Sequence, residues 1–220
     1  MTNPVFGVYG ASGYGREVMP LARAQLASQG VSPAQLFFID DAPTSDVVNG
    51  QRVLRYEEFL EMGQGAHHVV LAIANSAVRE KLSLRNGADG VRPWTVTAAN
   101  AVLLDDVVLG EGAVLSPFVT LTSNVRIGRQ FHANIYSYVA HDCVVGDFVT
   151  FAPSVKCNGN VTIEDHAYIG TGAVIKQGSP DKPLTIGRGA VIGMGAVVTR
   201  DVPAGITVVG NPAKPFPSKS

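Results

Sequence analysis

Residues 137–142 read Ser-Tyr-Val-Ala-His-Asp, an imidazole with a carboxylate on the very next residue. That pairing suits a general base and its orienting partner, because a carboxylate that holds one ring nitrogen leaves the other free to take a proton. His141 and Asp142 are therefore the candidate catalytic pair. Eighteen residues further on come Gly159 and Asn160. If the chain repeats on that interval, Gly159 stacks on His141 and Asn160 on Asp142. A glycine there leaves room for a ligand and offers its N–H to an oxyanion about 3 Å away. Asn134, on the preceding stretch, adds a polar group able to hold a ring nitrogen or the incoming nucleophile.

A second group of residues suits an anionic ligand. Gly10-Ala11-Ser12-Gly13-Tyr14-Gly15 follows an apolar strand at 5–9 and leads into a helical segment at 16–29. Glycines there permit a tight turn, and the free N–H groups of a helix start face an anion. The spelling is G-x-x-G-x-G rather than the dinucleotide G-x-G-x-x-G, which argues against nicotinamide. A second strand, 36–39, ends in Asp40-Asp41, placed to accept bonds from ribose hydroxyls. Asn49-Gly50 reads as a turn, 56–62 as a short helix and 69–73 as a third strand. Asn75 follows that strand, Ser76 is the expected cap, and 77–86 is the helix. Strands alternating with helices (βαβαβα) predict a small parallel sheet in an α/β domain over 1–92, with Ser12, Gly13, Asp40 and Asn75 converging at its carboxyl edge.

The element that must position His141 is a six-residue repeat running through 97–202. Its openers include Leu121, Ile127, Ala133, Val139, Val145, Phe151, Cys157 and Ile163, with small or branched residues such as Val125, Ser137, Cys143 and Val161 four places later. Five extra residues interrupt the beat after Ser179, and Ile186, Ile192 and Val198 resume it. A period of six fits neither a helix nor a solitary strand. It fits a solenoid whose units are each a strand and a turn, three to a triangular coil, so that 93–220 forms the second domain. Residues 91–96, with Pro93 and Trp94, read as the hinge, and the tail at 210–214 as extended coil.

With 17 basic and 18 acidic residues the formal charge is −1, which argues against a nucleic-acid or membrane-surface partner. No apolar run reaches the roughly 20 residues of a membrane span, and there is no basic-then-apolar leader. A soluble cytoplasmic protein is expected. Cys143 and Cys157 fall on inward repeat positions and read as apolar fillers. His132, His141 and His166 do not stack onto one site by coil counting, so no metal is expected.

With these residues in view, the chain resembles the sialic-acid and bacillosamine branch of hexapeptide-repeat sugar acyltransferases. The likeness is carried by 9–15, Ile39-Asp40-Asp41, 140–146, 156–161 and Gly210-Asn211-Pro212-Ala213-Lys214. Arg16-Glu17-Val18 and the His-Asp pair look closest to the GDP-perosamine N-acetyltransferase group. The resemblance implies a left-handed parallel β-helix, a homotrimer, acetyl-CoA as co-substrate along the groove between subunits, and a nucleotide-linked 4-amino sugar held by the first domain. It implies His141 as base, Asp142 as its partner, Asn134 as auxiliary, and Gly159 as oxyanion donor. Ser12, Gly13, Tyr14, Asp40, Asp41 and Asn75 would hold the nucleotide. Thr150, Gly159, Thr171, Gly172, Met194 and Lys214 would line the coenzyme groove, with 177–183 near its adenine end. Relatives often carry a histidine where Tyr14 stands, and some a glutamate where Asp142 stands. Attack by an alcohol, as in the sialic-acid O-acetyltransferases, and simple nucleotide-sugar binding are the competing functions.

Overall fold

The computed structural model describes residues 4–63 and 65–216. These form two compact units, Met1–Ala99 with Glu111–Val114, and Asn100–Gly110 with Leu115–Ser220.

The first unit is an α/β domain. Its strands are β1 (Val5–Tyr9), β2 (Leu36–Ile39), β3 (Val47–Val48), β4 (Gln51–Leu54), β5 (His67–Leu71) and β6 (Arg92–Pro93), and its helices α1 (Gly13–Ser28), α2 (Tyr56–Leu60) and α3 (Ser76–Ala88). The sheet order is β3-β4-β2-β1-β5-β6, parallel except for the β3–β4 hairpin. That hairpin turns at Asn49-Gly50, both left-handed, as a two-residue turn requires. Alternation along β1 divides the core. Phe6 and Val8 pack with Val18, Met19, Leu26 and Phe38 on one face, while Val5 and Tyr9 pack with Ile39, Phe59 and Leu82 on the other.

Several sequence expectations shift here. α1 begins at Gly13 rather than Arg16, so the glycine loop runs into the first helical turn. A Cβ on Gly15 would lie 1.7 Å from the Gly10 carbonyl oxygen, so close packing of helix on loop requires glycine there. β5 starts two residues before the expected 69, because His67 and His68 pair in register with Val5 and Phe6. α2 ends at Leu60, short of 62. The cap of α3 is Asn75, whose Oδ1 accepts the Val78 N–H, and Ser76 is already helical. The stretch expected as a hinge supplies strand β6, and Trp94 packs on Phe6 within the core of this unit.

The second unit is a triangular parallel β-helix. One wall carries Thr120–Leu121, Tyr138–Val139, Lys156–Cys157, Val174–Ile175 and Val197–Val198, each paired to the next. The register is Val139↔Cys157↔Ile175, eighteen residues per coil, and Ile175↔Val198 absorbs the insertion. Openers and fourth-place residues from Ala113 to Ile175 are buried, including Cys143 and Cys157, whereas Leu103 in the first coil is exposed. Burying each Val, Leu or Ile contributes about 1.5–3 kcal/mol, so stability accrues coil by coil. The corners turn through one left-handed residue in six: Phe118, Asn124, Gln130, Tyr136, Asp142, Phe148, Ser154, Asn160 and His166 all have φ of 55–62°. Asn and Asp tolerate that conformation best. The tail is not free coil: Lys214–Pro215 pairs antiparallel with Thr207–Val209. Among the described residues no helix is long and apolar enough to cross a membrane.

Candidate active site

His141 stands on the corner that follows Tyr138–Val139, and the eighteen-residue register sets it against Gly159. A Cβ on Gly159 would lie 2.5 Å from His141 Cε1 and 2.6 Å from Nε2, so the imidazole rests on the bare glycine backbone. Its side chain is 60% exposed and faces outward. His141 Nδ1 lies 2.7 Å from Asp142 Oδ2, which makes Nδ1 the protonated donor and leaves Nε2 as the acceptor. The other carboxylate oxygen accepts from Asn124 Nδ2 at 3.2 Å, one coil below. These hydrogen bonds, His141's first and Asn124's next, hold the Asp142 carboxyl below the usual carboxylate range. Asp142 itself is left-handed, with its N–H on Ser123 O, so backbone and side chain are both fixed. Gly159's neighbours are bonded, Asn158 N–H to Ile175 O and Asn160 N–H to His141 O. Among the described residues the Gly159 N–H has no partner. The corner therefore offers an oriented proton acceptor and an open N–H a few ångströms apart, the pair that acyl transfer needs.

Two further side chains brace this corner. Tyr138 Oη donates to Asn158 Oδ1 at 2.9 Å, and Asn158 Nδ2 donates to Ile175 O at 2.8 Å. Burial raises the Tyr138 hydroxyl, keeping it a neutral donor.

The other residues singled out from the sequence lie elsewhere. Asn134 opens the wall that His141 closes, and its Nδ2 donates to Phe151 O at 2.8 Å, with Oδ1 uncommitted among the described residues. Thr171 and Gly172 both occupy the same corner as Asn134, two coils on, and Met194, 82% exposed, stacks above Thr171. Thr150 lies in a wall strand and is only 5% exposed. Lys214 sits in the antiparallel tail ladder.

In the first unit, Ser12 and Gly13 are exposed at the start of α1, and Gly13 has open space where a Cβ would be. Tyr14 instead packs against the core with its hydroxyl buried, and burial raises it. What Tyr14 offers a ligand is its backbone N–H in the first helical turn. Asp40 ties the loop to the sheet edge: its carboxylate accepts the Ala11 N–H at 3.3 Å and the Ala42 N–H at 3.0 Å. Asp41 Oδ1 accepts from Tyr9 Oη at 2.6 Å and from Arg85, which also bonds the Tyr9 hydroxyl. The Arg85 guanidinium lies 4.0 Å over the Tyr56 ring, and Tyr56 Oη donates to Asp89 at 3.0 Å. Burial first, then Asp41, raises the Tyr9 hydroxyl. Arg79, wholly buried, donates to the Ile73 and Ala74 carbonyls and so fixes the loop that carries Asn75; burial lowers its guanidinium to about 10. Among the described residues no group of three or more His, Cys, Asp or Glu side chains converges as a metal site would require.

Asn124 was legible by subtracting one coil from Asp142. Nothing in the sequence pairs Arg85 with Asp41, which lie 44 residues apart.

Comparison with known proteins adds the following. Residues 6–85 match the family model of the PglD N-terminal domain. Over 210 residues the chain is 53% identical to GDP-perosamine N-acetyltransferase of Escherichia coli O157:H7, covering 96% of this chain and 95% of that one. The solved structure of WeeI from Acinetobacter baumannii AYE superposes with a TM-score of 0.94 at 60% identity, over 97% of this chain and 100% of that one. A single-residue variant of perosamine N-acetyltransferase from Caulobacter crescentus, solved with CoA and GDP-perosamine, gives 0.85 at 26% identity over 97% of each chain.

Proposed function

The chain belongs to the left-handed β-helix sugar N-acetyltransferases that carry a PglD-type N-terminal domain, and from that membership we propose that it acetylates the C4 amine of GDP-perosamine. It is an acetyl-CoA-dependent enzyme of this family. The observation that carries the reading is the His141 imidazole, fixed by Asp142 at 2.7 Å and resting on Gly159.

In the proposed reaction the sugar amine attacks the thioester carbonyl directly, with no covalent enzyme intermediate. His141 Nε2 takes a proton from the amine as the C–N bond forms. The Gly159 N–H receives the developing oxyanion. Collapse breaks the C–S bond, and the proton returns to the departing thiolate, giving amide and free CoA. Asp142 keeps Nδ1 protonated and the ring in place. The two cysteines are buried inside the prism and take no part. Preorganised acid–base help of this kind contributes about 10² to 10⁴ in rate.

The first domain, 1–92, would hold the nucleotide through the Ser12, Gly13 and Tyr14 amides, Asp40, Asp41 and Asn75. The second, 93–220, would carry the chemistry. Assembly as a homotrimer would bring Asn134 of one copy, whose Oδ1 is uncommitted, toward the His141 corner of the next. Thr150, Thr171, Gly172, Met194 and Lys214 would then border the coenzyme between copies. Only Thr150 sits poorly with this, being nearly buried in the single chain.

The test is a panel of GDP-, UDP- and dTDP-linked 4-amino and 4-hydroxy sugars with acetyl-CoA and a free-thiol readout. The GDP-linked 4-amino sugar should be preferred by at least about tenfold, a difference of about 1.4 kcal/mol. His141→Asn should keep fold and CoA binding while turnover falls about 10² to 10⁴. Turnover near that of the unaltered enzyme removes His141 from its role.

A further inference from the structure

The two buried cysteines supply no nucleophile, yet both sulfurs meet the same backbone oxygen. Cys143 Sγ donates to Asn158 O at 3.2 Å and Cys157 Sγ lies 3.8 Å from it, with Cys143 also 3.6 Å from His141 O. Both thiols are inside the prism, so the Asn158 carbonyl is turned inward to meet them. The Asn158-Gly159 peptide is trans. A planar trans peptide points its C=O and its N–H in opposite directions. Drawing the carbonyl in therefore directs the Gly159 N–H out of the prism, the side on which His141 stands. Asn158 is held from outside as well, since its side-chain amide accepts from Tyr138 Oη at 2.9 Å and donates to Ile175 O at 2.8 Å.

The solenoid itself does not require these thiols. At the Asn134 corner the carbonyl in the matching place accepts the N–H three residues on, Ser137 to Asn134 O at 3.3 Å and Ala173 to Gly170 O at 3.1 Å. At the His141 corner that bond is missing: among the described residues the Asn158 carbonyl accepts no backbone N–H, and neither do those of Ala140 and Thr122, one and two coils below. The positions that match Cys157 and Cys143 are Val139 and Val125 in the coil below, and Leu121 and Val107 in the one below that, none of which can donate. Donors thus appear only at the carbonyl whose peptide N–H lies beside the imidazole. The glycine that makes room for the ring also leaves its own backbone with the widest freedom of any residue, so this peptide is the one that needs restraint. We infer that Cys143, with Cys157 beside it, is a positioning residue whose S–H fixes the Asn158-Gly159 peptide with the Gly159 N–H facing the reacting carbonyl, a role that rests on that N–H receiving the oxyanion.

The test is steady-state CoA release from acetyl-CoA with GDP-perosamine, beside thermal melting, for Cys143→Val, Cys143→Ser and Cys143→Val/Cys157→Val, together with a crystal structure of the double variant. Valine is what the coil below carries at both places, so the double variant should melt within about 4 °C of the unaltered enzyme. Its kcat should fall about tenfold, short of the roughly 10² to 10³ for losing an oxyanion donor outright, with the acetyl-CoA KM within about twofold. Serine at 143 keeps a donor for Asn158 O but suits an apolar interior less well, so Cys143→Ser should melt below Cys143→Val and still hold kcat within about twofold. Packing alone predicts the reverse order, and a serine variant slowed as much as the valine one overturns the inference. So does an unchanged kcat in the double variant. The crystal structure then separates the two readings: with the Asn158-Gly159 peptide unmoved, only the thiols lose their role, whereas a turned peptide at full kcat would mean that the Gly159 N–H does not receive the oxyanion and would remove both.

Discussion

Gly159→Ala isolates the contact on which the proposed chemistry depends. The added methyl would sit 2.5 Å from His141 Cε1, 2.6 Å from Nε2 and 2.9 Å from Nδ1. Ordinary carbon contacts lie at about 3.5–4.0 Å, so something must give by about 1 Å. What gives is the imidazole, the mobile end of an exposed side chain, since no backbone atom is among the three nearest. Swinging a ring about 30° off its rotamer costs about 1 kcal/mol, and the melting temperature of a chain this size should move by no more than about 4 °C. Turnover is far more sensitive. The swing lengthens the 2.7 Å bond from Nδ1 to Asp142 and moves Nε2 off the attacking amine. A misplacement of about 1 Å costs about 10²-fold, or about 2.7 kcal/mol on the barrier. The assay is steady-state thiol release from acetyl-CoA with GDP-perosamine, run beside thermal melting. In a His141→Ala background the same methyl meets no ring, so its further effect should vanish, the non-additivity expected of two residues acting through one contact. A Gly159→Ala enzyme with kcat within about threefold of the unaltered one refutes the reasoning. So does an effect that persists in full without the imidazole.

The repeat made much of this legible in advance. Once the period was six and the coil eighteen, residue arithmetic alone put Gly159 beside His141 and turned both cysteines inward, because each coil repeats the environment of the one before. Carried through the five inserted residues, the same arithmetic puts Lys176 beside Thr199 and Arg200 above Gln177. It could not place the start of α1, where glycine's low helix propensity argues for Arg16 while close packing of Gly15 on the Gly10 carbonyl selects Gly13. It pointed to Ser76 as the cap where Asn75 holds that place, since both side chains can accept an N–H and only the path of the chain out of β5 decides. The tail was beyond it because pairing of Val208 with Pro215 depends on the last coil presenting an open edge. Least legible was the Tyr9, Asp41, Arg85 and Tyr56 group, where residues from four segments meet through tertiary packing and no spacing links them. That group bears on the nucleotide reading, because Asp41 is already held by a phenol and a guanidinium on one oxygen. Any ligand must use the other oxygen or a remaining lone pair.

Two further outcomes follow from the same geometry. Asp142→Asn should lower kcat by about ten- to a hundredfold with the coenzyme KM unchanged, since the carboxylate acts through the ring it orients; partial rescue by Asp142→Glu separates positioning from mere folding. The last concerns stability in acid, and centres on the corner where Asp147 accepts the Arg129 N–H at 2.7 Å and the guanidinium at 3.0 and 2.7 Å. Burial works to raise the Asp147 carboxyl, but the bonds and charge of Arg129 outweigh it and hold it below the ordinary range. A carboxylate depressed on folding stabilises fully above its unfolded pKa, near 3.8, and loses that contribution as pH falls through the folded value. Melting temperature should therefore drop on acidification below about pH 4, and Asp147→Asn should flatten part of that drop while costing about 1 kcal/mol or less at neutral pH, because both partners are partly exposed. Equal acid sensitivity in the two proteins would mean that this ladder of Arg129, Asp147 and Asp165 is surface decoration, and that the coils hold together by their apolar interior alone.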